Sequence, residues 1–367
     1  MLKYIFAFIM LAHGLIHFMG FAKAFDKNNV SAITQHISKL AGIGWFITAI
    51  LFVITVVLFL IKNQYWPVTG FIAAIISQVL IITVWKDARF GTIANCIVLL
   101  VAIVGFANVQ FAKKVNKEVN TLLAPALKNK TIVSKEMIQQ LPAVIQKWLL
   151  RSGIVGRGNV QFVRLKQKGE MRTKPGGDWM SFEAVQYFNV NEPQFIWQTT
   201  VNMVPLITLA GRDKFVNGQD EMQIKLLSLI NVANAGPGEK INSATMIRYL
   251  AETTWFPAAA INDYIKWEPI DSLSARAIMT YKAITVSGIF TFNASGDMVA
   301  FTADRYYGTG NDARKEKWLV ETTGYKDFNG IRIPYKSKVS WQLKTGEFNW
   351  ANVELTDLDY NLPEQYP

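Results

Sequence analysis

Apolar residues run almost unbroken through four stretches at the start of the chain, approximately Tyr4–Ala22, Leu40–Ile61, Pro67–Trp85 and Phe90–Ala112. Each is close to the ~20 residues a helix needs to cross about 30 Å of hydrocarbon, so the pattern predicts a four-helix transmembrane bundle. Tyr65 and Trp66 beside Lys62, and Trp85 beside Lys86 and Arg89, put interfacial aromatics and cations at the ends of these runs. The period then changes. Ser134 opens a predicted helix with Glu136 in its first turn that ends near Gly153, and its Leu141, Val144, Ile145, Trp148 and Leu149 recur at helical spacing.

Beyond that helix a period of two dominates. Phe195, Trp197, Thr199 and Val201 alternate with Ile196, Gln198, Thr200 and Asn202, the pattern of a strand with one buried face. Further strands are expected at 160–172, 178–190, 212–217, 221–232, 265–270, 274–281, 284–293, 297–307, 316–326, 331–344 and 348–360. Asn217-Gly218, Ser295-Gly296, Asn329-Gly330 and Thr345-Gly346 supply turn chemistry between them. About ten hairpin-linked strands with one helical insertion near 243–262 suggest an α+β soluble domain, a curved antiparallel sheet or open half-barrel closing around a helix. The expected organisation is a transmembrane domain at 1–112, a basic juxtamembrane linker at 113–139, a β-rich domain at 140–361 and a tail at 362–367.

Charge sharpens this division. Residues 1–112 carry +5, residues 113–174 carry +11 and residues 175–367 carry −5, so the basic excess sits beside the last apolar run. There it can meet anionic lipid at about 1 kcal/mol per basic residue near the surface. Nucleic acid is disfavoured as a partner, because no recognition motif is present and the distal domain is acidic. Four crossings place both chain ends on one side, with Lys3, Lys62, Lys113, Lys114, Lys117, Lys128 and Lys130 against Lys23, Lys27, Lys39, Lys86 and Arg89. Seven against five leans toward a cytoplasmic domain without deciding it. Ala22-Lys23-Ala24 resembles a signal-peptidase site, but the long apolar run and minimal basic start favour an uncleaved first helix.

Candidate chemistry is sparse. The only cysteine, Cys96, lies in the fourth apolar run, and no His or Cys follows residue 112. The soluble domain therefore has no Ser-His-Asp device and no Cys/His zinc site. It also has no phosphate-cradling glycine loop, so no cofactor is implied, and binding is favoured over catalysis. His13 and His17, four residues apart on one helix face, could hold a metal or relay a proton, or could hydrogen-bond neighbouring helices across a seam including Gly14 and Gly20. Arg248 and Glu252 can pair at i, i+4, and a carboxylate desolvated beside Trp255 could act as acid or base, with Arg248, Arg212 or Arg305 holding an anionic substrate. Arg305 shares parity with Val299, Phe301 and Ala303, so it should point at the apolar face, paired with an internal carboxylate or binding an anion.

Leu141-Pro142, Trp179, Arg212-Asp213, Gly218, the Arg248-to-Glu252 run, Trp255-Phe256-Pro257, Trp267, Arg305, Gly330, Pro334 and Trp341 together resemble an uncharacterised bacterial family of soluble domains of unknown function. The resemblance covers about 140–361, and His-Gly-Leu-Ile-His at 13–17 is similar to the first helix of longer, membrane-anchored members. It implies a bacterial plasma-membrane location and no particular reaction. The expected architecture is also similar to open β half-barrels that carry lipids or lipoproteins across bacterial envelopes, an analogy of fold alone. The leading expectation is a membrane-tethered module that binds a lipid or acyl chain. A hydrolase or transferase using Glu252, and an envelope assembly partner, are the alternatives.

Overall fold

The computed structural model describes every residue except 26–29, 31, 126–130, 309–311 and 367. Lys27, Lys128 and Lys130, used in the charge count above, lie outside the described residues. Two compact units are present, Met1–Ala112 and Lys113–Pro367.

The first unit contains helices α1 (Leu2–Ala24), α2 (Lys39–Leu60), α3 (Trp66–Thr83), the short α4 (Trp85–Ala88) and the first part of α5 (Gly91–Leu123). The four long helices are apolar and long enough to cross a membrane. Their starts follow local chemistry: the Ser38 hydroxyl accepts from the Ala41 amide at the head of α2, and Pro67 occupies the first turn of α3. Helices α1 and α2 approach closely because α1 offers glycine there. A Cβ on Gly14 would collide with Phe52, and one on Gly20 with Trp45.

In the second unit, residues 113–123 are the last turns of α5 instead of the start of a linker, with Val115 and Val119 buried. The helix expected from Ser134 to Gly153 is two, α6 (Lys135–Ile138) and α7 (Ala143–Ser152), because Pro142 interrupts the hydrogen-bond ladder. Gly153, at φ 75°, ends α7 in the left-handed conformation.

Among the described residues thirteen strands follow, all paired antiparallel in one sheet. Strands β1 (Phe162–Met171), β2 (Met180–Asn189), β3 (Gln194–Val204), β4 (Ile207–Val216), β5 (Gln219–Leu226) and β6 (Ile230–Ala235) lie side by side in chain order. The chain then crosses through α8 (Glu239–Glu252) and two short 3₁₀ turns. From the other edge it lays down β7 (Ile265–Pro269), β8 (Ser274–Tyr281), β9 (Ile284–Phe292), β10 (Met298–Tyr307), β11 (Arg314–Phe328), β12 (Ile331–Leu343) and β13 (Gly346–Tyr360), and β13 pairs with β1. The edge strands β6 and β7 do not pair, so the sheet is an open half-barrel. It curls around α8, which packs on β4 and β5 from one side and on β9 and β10 from the other. Register shifts in β1, β3, β5, β10, β11 and β12 add the local twist that this curl needs.

The main core fills the inner face against α7 and α8, with Trp148, Phe188, Tyr249, Phe256, Phe290 and Phe301 among its largest buried side chains. Two expected strands need correction. The strand placed at 212–217 begins at Ile207, and the stretch 221–232 divides into β5 and β6. Both missed turns are built without Gly or Asn, at Pro205-Leu206 and Leu227-Ser228. The terminal residues expected as a tail are tied down: the Glu364 and Gln365 carbonyls accept from Arg164, and Tyr366 stacks under the Arg164 and Lys166 cations.

Candidate functional site

Alternation along β4 separates two residues that the sequence places side by side. Asp213 shares its face with Phe215 and points inward, so Arg212 points to the outer face. Arg212 is 3% exposed there, pairing with Glu118 of α5 at 3.3 Å and Glu221 at 3.4 Å and donating to the Glu221 carbonyl. Arg212 therefore does not join Arg248, Glu252, Trp255 and Arg305, which lie on the inner side with α8.

On that inner side a belt of hydrogen-bonded side chains crosses four strands. Trp197 Nε1 donates to Gln167 at 2.8 Å, Gln167 donates to Gln186 at 3.3 Å, and Gln186 donates to Glu252 Oε2 at 2.8 Å. Arg248 donates to Glu252 Oε1 at 2.7 Å and to Asp213 at 2.6 Å, with its guanidinium over the Phe195 and Trp197 rings. Both Glu252 oxygens are thus engaged. Burial pushes the Glu252 carboxyl up, while Arg248 and Gln186 oppose that shift. Burial works against the Arg248 charge, and the Glu252 and Asp213 carboxylates outweigh it. Beside this pair, burial and then the neighbouring Asp213 push the Asp220 carboxyl up to about 9, far above the ordinary carboxylate range. Asp220 is 1% exposed, and its Oδ1 has no hydrogen-bond partner among the described residues.

Arg305 points inward, as its parity implies, but toward the other flank of α8. It donates to the Ala244 carbonyl at 2.9 Å and stacks over Trp318 and Trp341 at 4.9 and 5.4 Å. No carboxylate of the described residues lies within salt-bridge distance of it, so the internal pair allowed by the sequence is replaced by a carbonyl and two indoles. Burial, and then Arg248, pull its guanidinium down to about 10, which leaves it charged at neutral pH. Trp255 is a core residue, and its carbonyl accepts from Tyr360 at 2.6 Å.

Outward from the belt the same face turns apolar. Phe182, Ala184 and Val201 form a second cluster apart from the main core, packed with Met171, Met180, Trp197, Leu209 and Val353. On β5, Ile224 and Leu226 pair with Gly211 and Leu209 and extend the strip. Leu209, Ile224, Leu226 and Met180 are only half-buried. From Asp213 to Ile207 the strip runs roughly 20 Å at about 3.4 Å per residue.

The sequence reading missed Gln167, Gln186 and Asp220, and it named Asp213 only as part of the Arg212-Asp213 motif, with no role in the site. Gln186 carried a usable signal, since it occupies an inward position between Ala184 and Phe188, where a polar residue needs a partner. Two recesses lie away from the belt. One, of about 340 Å³, is lined by amides including Asn159, Asn189, Asn191 and Gln194. The other, of about 660 Å³, is an open groove on the outer face among Lys168, Glu183, Lys336 and Glu354.

In the helical unit His17 bonds Ser77 Oγ at 2.8 Å and the His13 carbonyl at 2.8 Å, and His13 bonds Asn95 at 2.9 Å and Ser77 at 3.2 Å. Their shared partner Ser77 belongs to α3 and Asn95 to α5, so these imidazoles link three helices. Among the described residues no three His, Cys, Asp or Glu side chains converge as metal ligands would.

Solved structures similar to the chain include a DUF1329 family protein from Desulfovibrio piger, at 11% identity over 61% of this chain and 94% of that one, with a TM-score of 0.37. Another is a LolA superfamily protein from Nitrosomonas europaea, at 10% identity over 62% and 96%, with a TM-score of 0.34. At these scores nothing about ligands passes from them to this chain. No curated protein matches it. Residues 131–353, more than half of the chain, match one family model, against the 140–361 expected from its motifs: the protein belongs to DUF6544, a family of unknown function.

Proposed function

We propose that this is a multi-pass bacterial membrane protein whose β unit binds one apolar chain, a lipid or acyl group, along the inner face beyond α8. The observation that carries the reading is the apolar strip on the inner face, in which Phe182 and Val201 are buried while Met180, Leu209, Ile224 and Leu226 stay half-buried, continuous with the belt at one end and with hairpin tips at the other. A soluble surface of this kind loses apolar contact with water only when something lies on it. The belt would meet the polar end of the ligand through groups already fixed by neighbours, which limits the entropy lost on binding. Arg248, Glu252 and Trp255 act here as its scaffold, and Arg305 as a nearby cation. A hydrolase or transferase that uses Glu252 would first have to free a carboxylate oxygen from Arg248 or Gln186.

The test is photolabelling of the full chain in nanodiscs with a lipid carrying a diazirine in its acyl chain, followed by peptide mapping. Label on Trp197, Val201 and Leu209, displaced by excess free fatty acid and lost in Leu209→Gln, is the expected result. Label confined to the four apolar helices and insensitive to competitor would eliminate the reading.

A further inference from the structure

Two of the turns built without Gly or Asn, Pro205-Leu206 and Leu227-Ser228, sit next to each other. Strands β3 to β6 are consecutive neighbours, so the β3–β4 and β5–β6 hairpin tips emerge at the same end of this part of the sheet. Met203, Val204, Leu206 and Ile207 on one tip and Leu229 and Ile230 on the other are all exposed, Leu206 by 72% and Ile230 by 63%. Leu206 holds φ at 72°, and Leu227 and Ser228 hold 51° and 58°. Left-handed backbone disfavours leucine and suits Gly or Asn, the residues this sheet does use at Asn217-Gly218 and Asn329-Gly330. At Leu206 an apolar side chain is therefore kept against both solvent exposure and backbone preference, and Leu229 and Ile230 are kept against solvent exposure.

Within the same unit, the last turns of α5 show where the chain arrives. Glu118 faces Arg212 and Lys214, and Lys114 reaches back to Gln223 at 3.1 Å. Going from residue 118 to 114, the helix thus follows β5 from Glu221 toward Leu226, so the polypeptide enters the unit at the end that carries the apolar tips. It does so directly from the apolar run ending at Ala112. Cations lie toward this end: Lys114 on the helix, Lys225 on β5, and Arg172 and Lys174 on the adjacent β1–β2 hairpin, which also carries Asp178. On that hairpin Arg172 stacks over the exposed Trp179 at 4.5 Å, an aromatic and cation pair of the type found at membrane interfaces.

We propose that the β3–β4 and β5–β6 tips dock into the interface of an anionic lipid bilayer, with the neighbouring lysines and arginine on its headgroups. Apolar side chains flanked by cations match a surface with negative headgroups over hydrocarbon, and each feature alone would fit it less well. The inference rests on the membrane-spanning reading of the four helices and not on a ligand in the apolar strip. The docked tips would open that strip onto the bilayer.

The experiment uses the full chain with Cys96→Ser and a single bimane-labelled cysteine at 206, at 230 or, as a reference in the β9–β10 turn, at 295. Each is placed in dilute proteoliposomes containing phosphatidylglycerol and a nitroxide-labelled phosphatidylcholine. Quenching several-fold stronger at 206 and 230 than at 295, and reduced when Lys114 and Lys225 become Gln, is expected. In the chain labelled at 230, Leu206→Asn should reduce quenching while leaving the unfolding temperature unchanged or raised, which separates lost docking from lost folding. Equal quenching at the three positions, or cysteine crosslinking between copies through position 206 in place of quenching, would overturn the proposal. Leu209→Gln distinguishes the two readings, because it should abolish acyl photolabelling yet keep the quenching at 230.

Discussion

Asp220 is a carboxyl whose chemistry departs far from its ordinary behaviour. Burial and Asp213 raise its carboxyl to about 9 in the folded chain, so between the ordinary carboxylate value and that one the folded state binds up to one more proton than the unfolded state. Stability from this group is complete below that ordinary value and is lost as pH rises toward the elevated folded value, by about 1.4 kcal/mol per pH unit within the window. Asp220→Asn should therefore flatten the decline of the unfolding temperature between mildly acidic and alkaline pH, read by thermal scans of the full chain in detergent. An unchanged slope would mean that the proton is not held at Asp220. Arg248 tests the same belt from the other sign. Arg248→Met leaves Glu252 and Asp213 buried without their cation and should cost about 3–5 kcal/mol, whereas adding Glu252→Gln should recover part of that loss. If the double variant is no more stable than the single one, the belt is not the coupled unit described above.

Among the elements, α1 and α2 depend on glycine for their approach, and the sheet depends on its turns for its register. Gly20→Val would push a branched side chain into Trp45, an overpacking that typically costs 1–3 kcal/mol and should appear as a lower unfolding temperature of the helical unit in detergent. Val at Gly156, where an added Cβ meets nothing within 4 Å, controls for steric clash as such, though its left-handed φ adds a separate strain. The strand boundaries teach a related point. Where Asn-Gly marks a hairpin, at 217–218 and 329–330, the turn was legible in advance. At Pro205-Leu206 and Leu227-Ser228 it was not, because Pro205 and Ser228 signal a turn less sharply than Asn-Gly and leucine in a left-handed position adds no signal. The α6–α7 break was foreshadowed by Pro142, whose ring cannot continue the ladder.

At the scale of the whole molecule, four apolar helices require alternation of the intervening loops if all of them span. Reporter fusions after residue 130 and within 62–66 should report one side of the membrane, and fusions within 23–39 and 86–89 the other. Disagreement between the first two would show that one helix does not cross. Which side carries the β unit follows from the same fusions and selects the leaflet whose lipids the hairpin tips can meet.

The sequence by itself determined the apolar helices, the antiparallel β architecture, the inward direction of Arg305 and the pairing of Arg248 with Glu252. These follow from periodicities of 3.6 and 2 and from i, i+4 spacing, which act over a few residues. Tertiary structure alone decided that Arg212 and Arg248 stand on opposite faces, because neighbours in a strand diverge and the inward face is defined only once α8 lies on it. It also decided that Gln167 from β1, Gln186 from β2 and Asp213 from β4 join one belt, since their contact depends on register between strands that the chain does not encode locally. The apolar hairpin tips came from the same source: Leu227 and Leu229 read as strand interior within 221–232, and Leu206 lay in a stretch assigned to no strand, until the fold turned the chain at both places.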